Sequence, residues 1–564
     1  MIIRIVIIII LICFNSIVFA QISKPSSIIA TSQSLATQAG SQILKQGGNA
    51  IDAAVAVGYA LAVTEPCCGN IGGGGFMLIH LANGQDHFIN FREKAPQAIS
   101  AKLYLDKQGN VIPNVMVNNY LSVGIPGTVL GLNTALKEYG TMSLRQVMQP
   151  AIQLAQKGFI LSSYSAALLR ENFPNALVQP NISNIFFKNG KTLQAGDRLI
   201  QSQLANTLIK IAKNDTDVFY YGDIPAQIAK ESRGDYGVIT TADFANYSVE
   251  LERPIYCNYR GYQIISAPPP SSGGITLCEM LKIVEHYPLK QWGYHSFATV
   301  HANIEAMRYA YADRNCYLGD PDFVQNPSNF LLSDDHIKYI VNQIQQNPIT
   351  NSKKLSSPVN NVIEQPQTTH YSVIDKYGNA VAVTYTLNGN FGAKVIATNT
   401  GFFLNNEMDD FTIKANTPNG FGLIQGSANL IAPNKRPLSS MTPTIVTKNG
   451  KVILVIGSPG GSTITTTILQ VIENIIDFNL PLNWAVAAPR YHMQWLPDQI
   501  YMEQNAFSPY VYLRLRQMGY TFKLGSPFNT PQWGAVAAIE CDPKNGKCIG
   551  AIDPRRPDGS VAVL

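Results

Sequence analysis

Two threonines and a histidine stand together in Pro366-Gln367-Thr368-Thr369-His370-Tyr371-Ser372, where a polar, proline-containing segment runs into an alternating, strand-like one. A threonine hydroxyl is a poor nucleophile until a base takes its proton. The sequence lacks the Gly-x-Ser-x-Gly pattern of α/β-hydrolases, and none of its eight histidines falls in a His-Glu-x-x-His zinc pattern. A chain cut before Thr368 would free an α-amine, and an unperturbed amine pKa of about 7.7–8.0 suits a base near neutral pH. Ordinary turn and strand-start chemistry is the competing reading of the same residues. With residues 375–378 as a hairpin loop, Thr368 falls opposite Tyr385, one step from a further threonine, Thr386.

Other stretches could bind charge. Gly460 and Gly461 lie in "GSPGGSTITTT", a strand, a glycine turn and a helix start, where backbone N–H groups form a ready anion site. No lysine follows these glycines, so the stretch is not a phosphate loop. Gly72 to Gly75 precede a strand instead of following one, which speaks for close backbone packing over nucleotide binding. Arg92 ends the alternating run "DHFINFREKAP", Glu407 and Asp410 lie in "NNEMDDF", and Ser439-Ser440 lie in "PLSSM". Taken singly, each has a bland reading as a strand end, an acidic turn or a polar strand entrance.

The elements that position these residues change character along the chain. At 564 residues, 46% hydrophobic and 14% charged, the chain has the composition of a globular protein with a large core. The formal charge of +5 is scattered without a basic run, which excludes a nucleic-acid footprint. Residues 1–20 read as a secretory signal: Arg4, an apolar run from Ile5 to Phe14, and Val18-Phe19-Ala20 before the cut. Asn15 and Ser16 interrupt the run short of the about 20 residues a membrane anchor needs, so no stable anchor is expected. Gln21 in place of cysteine argues against a lipoprotein, and export to the periplasm or medium is the expected localisation.

Removing Cys13 with the signal leaves seven cysteines. Cys541 and Cys548 flank a turn-rich loop and are expected to bond, whereas adjacent Cys67 and Cys68 read as packing residues. The sequence calls for no metal and no cofactor.

"TQAGSQILK" reads as an amphipathic helix and "AIDAAVAVGYAL" as a buried one capped by Asn49. From about Ser143 to Thr350 the periodicity is mostly helical, and from about Asn342 to Gln367 it fades into a linker. Strands follow at "THYSVID", "AVAVTYTLN", "GFFLNNEMDDF", "TPTIVTK" and "KVILVIG".

Together "QTTHYSVIDKYGNAVAVTYTLN", "PNKRPLSSMTPTIV", "GSPGGS", "NNEMDDF", "NFREKAP" and "PPPSSGG" make the chain similar to γ-glutamyltranspeptidase, a family of N-terminal nucleophile hydrolases, from about Ile28 to Arg555. The resemblance implies an α+β fold, a four-layer αββα sandwich built jointly by two subunits of one precursor. Residues 21–367 would form the large subunit and 368–564 the small one, paired as a heterodimer after self-cleavage between Gln367 and Thr368.

It also implies roles. Thr368 would be the nucleophile, oriented by Thr386, with the N–H groups of Gly460 and Gly461 as oxyanion hole, each donor worth about 3–4 kcal/mol. Arg92, Ser439 and Ser440 would take the substrate α-carboxylate, Glu407 and Asp410 its α-ammonium, and Asn388 would add a neutral contact. Glutathione and other γ-glutamyl compounds would be substrates, with water, amino acids or dipeptides as acceptors. Where bacterial members often carry a lid tyrosine, this sequence has Phe421. A cephalosporin-acylase-like enzyme and a non-catalytic exported binding protein are the alternatives; the Arg92, Glu407 and Asp410 set argues against the first, and intact Thr368, Thr386, Gly460 and Gly461 against the second.

Overall fold

Side chains alternate between two cores along the central strands, and that alternation sets the architecture. In the computed structural model, which describes residues 26–112, 115–174, 179–355, 368–415, 417, 424–526 and 533–564, Tyr371 and Val373 enter one hydrophobic core. Ile374 enters the other. Ile29, Met77, Ile79, Val381 and Val383 share the first core, and Ile28, Ala30, Phe76, Leu78 and Ala382 the second. The signal at 1–20, Gln367 and Phe421 lie outside the described residues.

Two antiparallel sheets carry these strands. One has seven, in the order Ser560–Val563, Ile28–Thr31, Thr368–Ile374, Ala380–Thr386, Gly74–His80, Asp86–Phe91 and Glu250–Glu252. The other has six, in the order Cys548–Ile552, Ala537–Cys541, Lys451–Gly457, Thr444–Lys448, Tyr262–Ser266 and Ile255–Tyr259. The second core lies between the sheets and continues under helices Gly273–Glu285, Phe297–Tyr317 and Thr463–Ile476. The first lies under helices Ser34–Lys45, Ala50–Thr64, Thr128–Tyr139 and Leu144–Lys157. The result is the expected αββα sandwich.

Helix Ala50–Thr64 is apolar all round, and every one of its 15 residues is buried, because it lies between the seven-stranded sheet and other helices. Asn49 caps it in a capping box with Asp52. The glycines at the start of Gly74–His80 serve close approach: a Cβ on Gly73, just before the strand, would lie 2.0 Å from Thr386 O, and one on Gly75 2.5 Å from Thr384 O.

Three expectations change. The hairpin loop is Asp375–Asn379, one residue longer than predicted, and it pairs Thr368 with Thr386 instead of Tyr385. The Asp375 carboxylate causes this, accepting from the N–H groups of Tyr377 (2.8 Å) and Asn379 (3.0 Å). The predicted strand at 401–411 does not form; Glu407–Asp410 is a single 3₁₀ turn, and Asn405 Nδ2 bonds the carbonyls of Gly72 and Gly124. Inside the predicted helical region, Glu250–Glu252, Ile255–Tyr259 and Tyr262–Ser266 are sheet strands.

Cys541 and Cys548 are bonded as predicted, across a directly paired position. Cys257–Cys278 ties an edge strand to helix Gly273–Glu285, and Cys67 bonds Cys68. Among the described residues no helix is long and apolar enough to cross a membrane.

His370 faces the inter-sheet core, within hydrogen-bond distance of Thr384 Oγ1 (2.8 Å) and Ser372 Oγ (3.1 Å), and burial pushes its imidazole down to about 3. The fold therefore holds it neutral, while the unfolded chain takes up a proton below its ordinary value of about 6.5. Its contribution is complete above that value and is lost as pH falls toward 3. Urea midpoints from pH 7 to pH 4 should accordingly fall more steeply in the wild type than in His370→Gln; parallel slopes would remove His370 from the acid response.

Candidate active site

Thr368 opens a central strand with its side chain on the inter-sheet face, only 4% exposed. Its Oγ1 donates to Thr386 Oγ1, directly opposite, at 3.3 Å. Thr386 Oγ1 in turn accepts from the N–H of Asn388 at 2.8 Å. Asn388 has φ +72°, a left-handed backbone that asparagine tolerates, and its Nδ2 donates to Asn406 O. The neighbouring Thr369 points to the opposite face, donating to Glu65 Oε2 at 2.8 Å.

The two threonines form the floor of a cleft with about 340 Å³ of empty volume. Asn388, Arg92, Glu407, Asp410, Ser439, Ser440 and Gly461 line it, so nine of the ten residues singled out from the sequence meet there. Gly460 stands one residue behind the wall. Gly460 and Gly461 have φ of +132° and +52° and lead into helix Thr463–Ile476. Neither N–H donates a hydrogen bond among the described residues.

Arg92 emerges from strand Asp86–Phe91 and is 1% exposed. Its Nη1 and Nη2 engage Glu407 and Asp410, and its Nε donates to Pro437 O at 3.2 Å. Burial pulls its guanidinium down, yet Glu407, Asp410 and Glu93 together hold it above its ordinary value. Burial raises the Glu407 and Asp410 carboxyls against the pull of Arg92, and pushes Glu93 up to about 7. Arg92, expected to take a carboxylate, and Glu407 and Asp410, expected to take an ammonium, thus form one cluster. Glu407 Oε2 and Asp410 Oδ1 are buried acceptors without a hydrogen bond, as a cationic ligand would require.

Sequence reasoning missed Arg314, whose Nη2 donates to Ser440 Oγ at 3.1 Å and which also lines the cleft. The signal was present in helix Phe297–Tyr317, where Ile304, Met307 and Tyr311 at three- and four-residue spacing mark the buried stripe that Arg314 continues. The segment carrying Ser439 is braced from behind, its carbonyl accepting from the N–H and the Oγ of Ser272, both at 2.8 Å.

Comparison with known proteins gives a consistent answer. The family model described as Gamma-glutamyltranspeptidase matches residues 36–563. The glutathione hydrolase proenzyme of Pseudomonas sp. (strain A14) is 48% identical, covering 96% of this chain and 94% of its own length. That of Escherichia coli (strain K12) is 47% identical, covering 97% and 93%. Among solved structures, cephalosporin acylase from Bacillus halodurans superposes with a TM-score of 0.83 over 96% of each chain, at 27% identity.

Removing the cation from the cluster leaves two buried carboxyls facing each other. Arg92→Met should lower unfolding stability by about 3–5 kcal/mol in urea titrations, and Glu407→Gln in the same chain should recover part of it. A loss under about 1 kcal/mol would mean that the cluster is hydrated and not a buried ion pair.

Proposed function

The chain belongs to the γ-glutamyltranspeptidase family, and on that premise we propose that it is cut between Gln367 and Thr368 and then uses Thr368 as an N-terminal nucleophile on γ-glutamyl amides. The observation that carries this reading is the pairing of the Thr368 and Thr386 hydroxyls at a strand start on the cleft floor, beneath the Arg92 cluster.

The freed α-amine of Thr368 accepts the proton of its own Oγ1, which attacks the γ-carbonyl; Thr386 holds that oxygen in place. Negative charge on the carbonyl oxygen is taken by the Gly460 and Gly461 N–H groups, which have no competing acceptor among the described residues. The amine returns the proton to the leaving nitrogen as the C–N bond breaks, leaving a γ-glutamyl ester on Thr368. Water or the amine of an amino acid or peptide then takes the acyl group and frees the hydroxyl.

In the same cleft Glu407 and Asp410 take the α-ammonium, and Arg92, which bonds both acids, takes the α-carboxylate together with the hydroxyls of Ser439 and Ser440. Asn388 adds a neutral contact. Glutathione, which gives the relatives above their name, is the proposed physiological substrate together with other γ-glutamyl compounds. Residues 1–20 direct export, which places the reaction in the periplasm or medium; 21–367 and 368–564 remain together as one heterodimer because their strands interleave in the same sheet. His370 is no base here: burial lowers its imidazole to about 3, too weak a base near neutral pH, and its ring nitrogens meet Thr384 and Ser372.

A denaturing gel of the wild type beside Thr368→Ala, with release from L-γ-glutamyl-p-nitroanilide measured in parallel, tests the reading. Two bands and activity are expected from the wild type, and one inactive band from the variant. An uncut wild type that still releases the anilide would overturn the mechanism. Arg92→Ala, if it folds, should chiefly raise KM for the anilide, and an unchanged KM would remove Arg92 from the grip.

A further inference from the structure

Glu279, Asp313 and His336, far apart in sequence, meet where helices Gly273–Glu285, Phe297–Tyr317 and Asp334–Gln346 pack together. Each offers one ligand atom, and these atoms lie within 4.8 Å of one another. His336 Nε2 stands 2.7 Å from Asp313 Oδ2 and 3.8 Å from Glu279 Oε1. Phe330 packs against the imidazole with ring centroids 4.5 Å apart. No short-spaced motif marks this set, because each ligand comes from a different helix.

Glu279 is 1% exposed, and its Oε1 is a buried acceptor with no hydrogen bond. His336 is its only ionic neighbour within 4.0 Å among the described residues. A buried acceptor left unmet is costly, and such atoms mark places where a ligand belongs. The imidazole cannot answer both acids, since Nε2 carries at most one proton and Asp313 lies at hydrogen-bond distance to take it. A divalent cation where the three atoms converge answers all of them at once.

The donor types select the ion. One imidazole nitrogen with two carboxylate oxygens suits zinc and its first-row neighbours, whereas calcium and magnesium favour shells made of oxygen alone. Donors about 2.1 Å from a tetrahedral zinc lie about 3.4 Å from one another. The two distances from His336 Nε2 fall on either side of that spacing, so shifts under about 1 Å bring both pairs to it. Asp313 and His336 are partly exposed, which opens one side of the cluster to entry and to a water as fourth ligand. Binding exchanges the Nε2 proton for the ion and releases that proton to solvent.

We propose that Glu279, Asp313 and His336 form a binding site for a divalent first-row transition ion of the zinc class, which clamps the three helices behind the serine wall of the cleft. Two of these helices reach that wall directly. Asp313 precedes Arg314, which bonds Ser440, and helix Gly273–Glu285 begins after Ser272, which braces Ser439. The ion takes no part in the γ-glutamyl chemistry, so the site stands or falls apart from that reading.

The purified full-length protein, stripped with a chelator, is titrated with zinc chloride and in parallel with cobalt(II) and magnesium chlorides. One zinc ion per chain is expected, with a rise in Tm that grows with zinc concentration. Cobalt(II) should give a visible d–d absorption band, and magnesium neither effect. His336→Gln should weaken zinc binding by more than the about 10–100-fold that loss of an outer-shell partner costs, and should remove the cobalt band. A wild type that takes up no zinc overturns the proposal, as does a His336→Gln variant that binds it unchanged. An equal Tm rise with magnesium overturns the role given to the imidazole. If His336→Gln fails to fold, the partly exposed Asp313 allows Asp313→Asn to decide, unchanged zinc affinity again being fatal.

Discussion

Direct pairing of Thr368 with Thr386 is the constraint on which the site depends, and it is a matter of strand register. Successive side chains on a strand point to opposite faces, so a slip of one residue exchanges the two faces along the whole strand. In this register Thr368, His370 and Ser372 point between the sheets, whereas Thr369, Tyr371 and Val373 point toward the outer helices. A slip would place Thr369 at the cleft and push Thr368 against Glu65. The register is secured at both ends of the hairpin. Asp375 ties the loop through its carboxylate, and the strands on either side, Ile28–Thr31 and Gly74–His80, continue the antiparallel ladder. The glycines of the latter allow its backbone to lie against Thr384 and Thr386 with no side chain between.

A second constraint is the cost of buried charge. The cleft wall, with Glu93 beside Arg92 behind it, collects three carboxyl groups and two guanidinium groups, and burial raises all three acids. An arrangement of this kind contributes little to folding stability compared with apolar packing of the same volume. On the proposed reading its use lies in binding. A zwitterionic amino acid end adds no net charge when it enters, so the exchange of internal pairs for ligand pairs leaves the total charge of the cleft unchanged, and discrimination falls to the placement of each charge.

The sequence was most informative where a local rule and the fold agree. Asn49 before an apolar run, and the alternation in 368–374 and 380–386, were read correctly because capping and period-two patterning are local signals. Loop length in the hairpin was not, since it turns on a side-chain contact from Asp375 that periodicity does not record. The stretch 401–411 looked like a strand because of its aromatics, but its acids are drawn to Arg92, more than three hundred residues earlier in the chain, and the backbone folds into a turn to meet it. Arg314 escaped notice because a charged residue on an apolar stripe reads as an exception, and only its surroundings show that it reaches the Ser440 hydroxyl. The candidate site residues came from recognisable motifs and not from periodicity, which carries no information on which distant segments meet.

The surroundings of Thr368, the proposed nucleophile, explain why an internal base suits this fold. Thr368 is nearly buried and its hydroxyl bonds another neutral hydroxyl, so the oxygen needs a base within reach before it can attack. His370, two residues away, lies on the same face but is pressed into the inter-sheet core; a Cβ added to Gly457 would come within 2.3 Å of its ring, which leaves it no route to the cleft. Glu407 and Asp410 line the cleft, but Arg92 engages both of them. A base carried by the nucleophilic residue itself avoids all three restrictions, because covalent geometry keeps the α-nitrogen next to Oγ1 whatever the packing. The same arrangement explains why that residue sits at the first position of a central strand, where its side chain is fixed by the sheet while its nitrogen, once freed, needs no partner in the ladder.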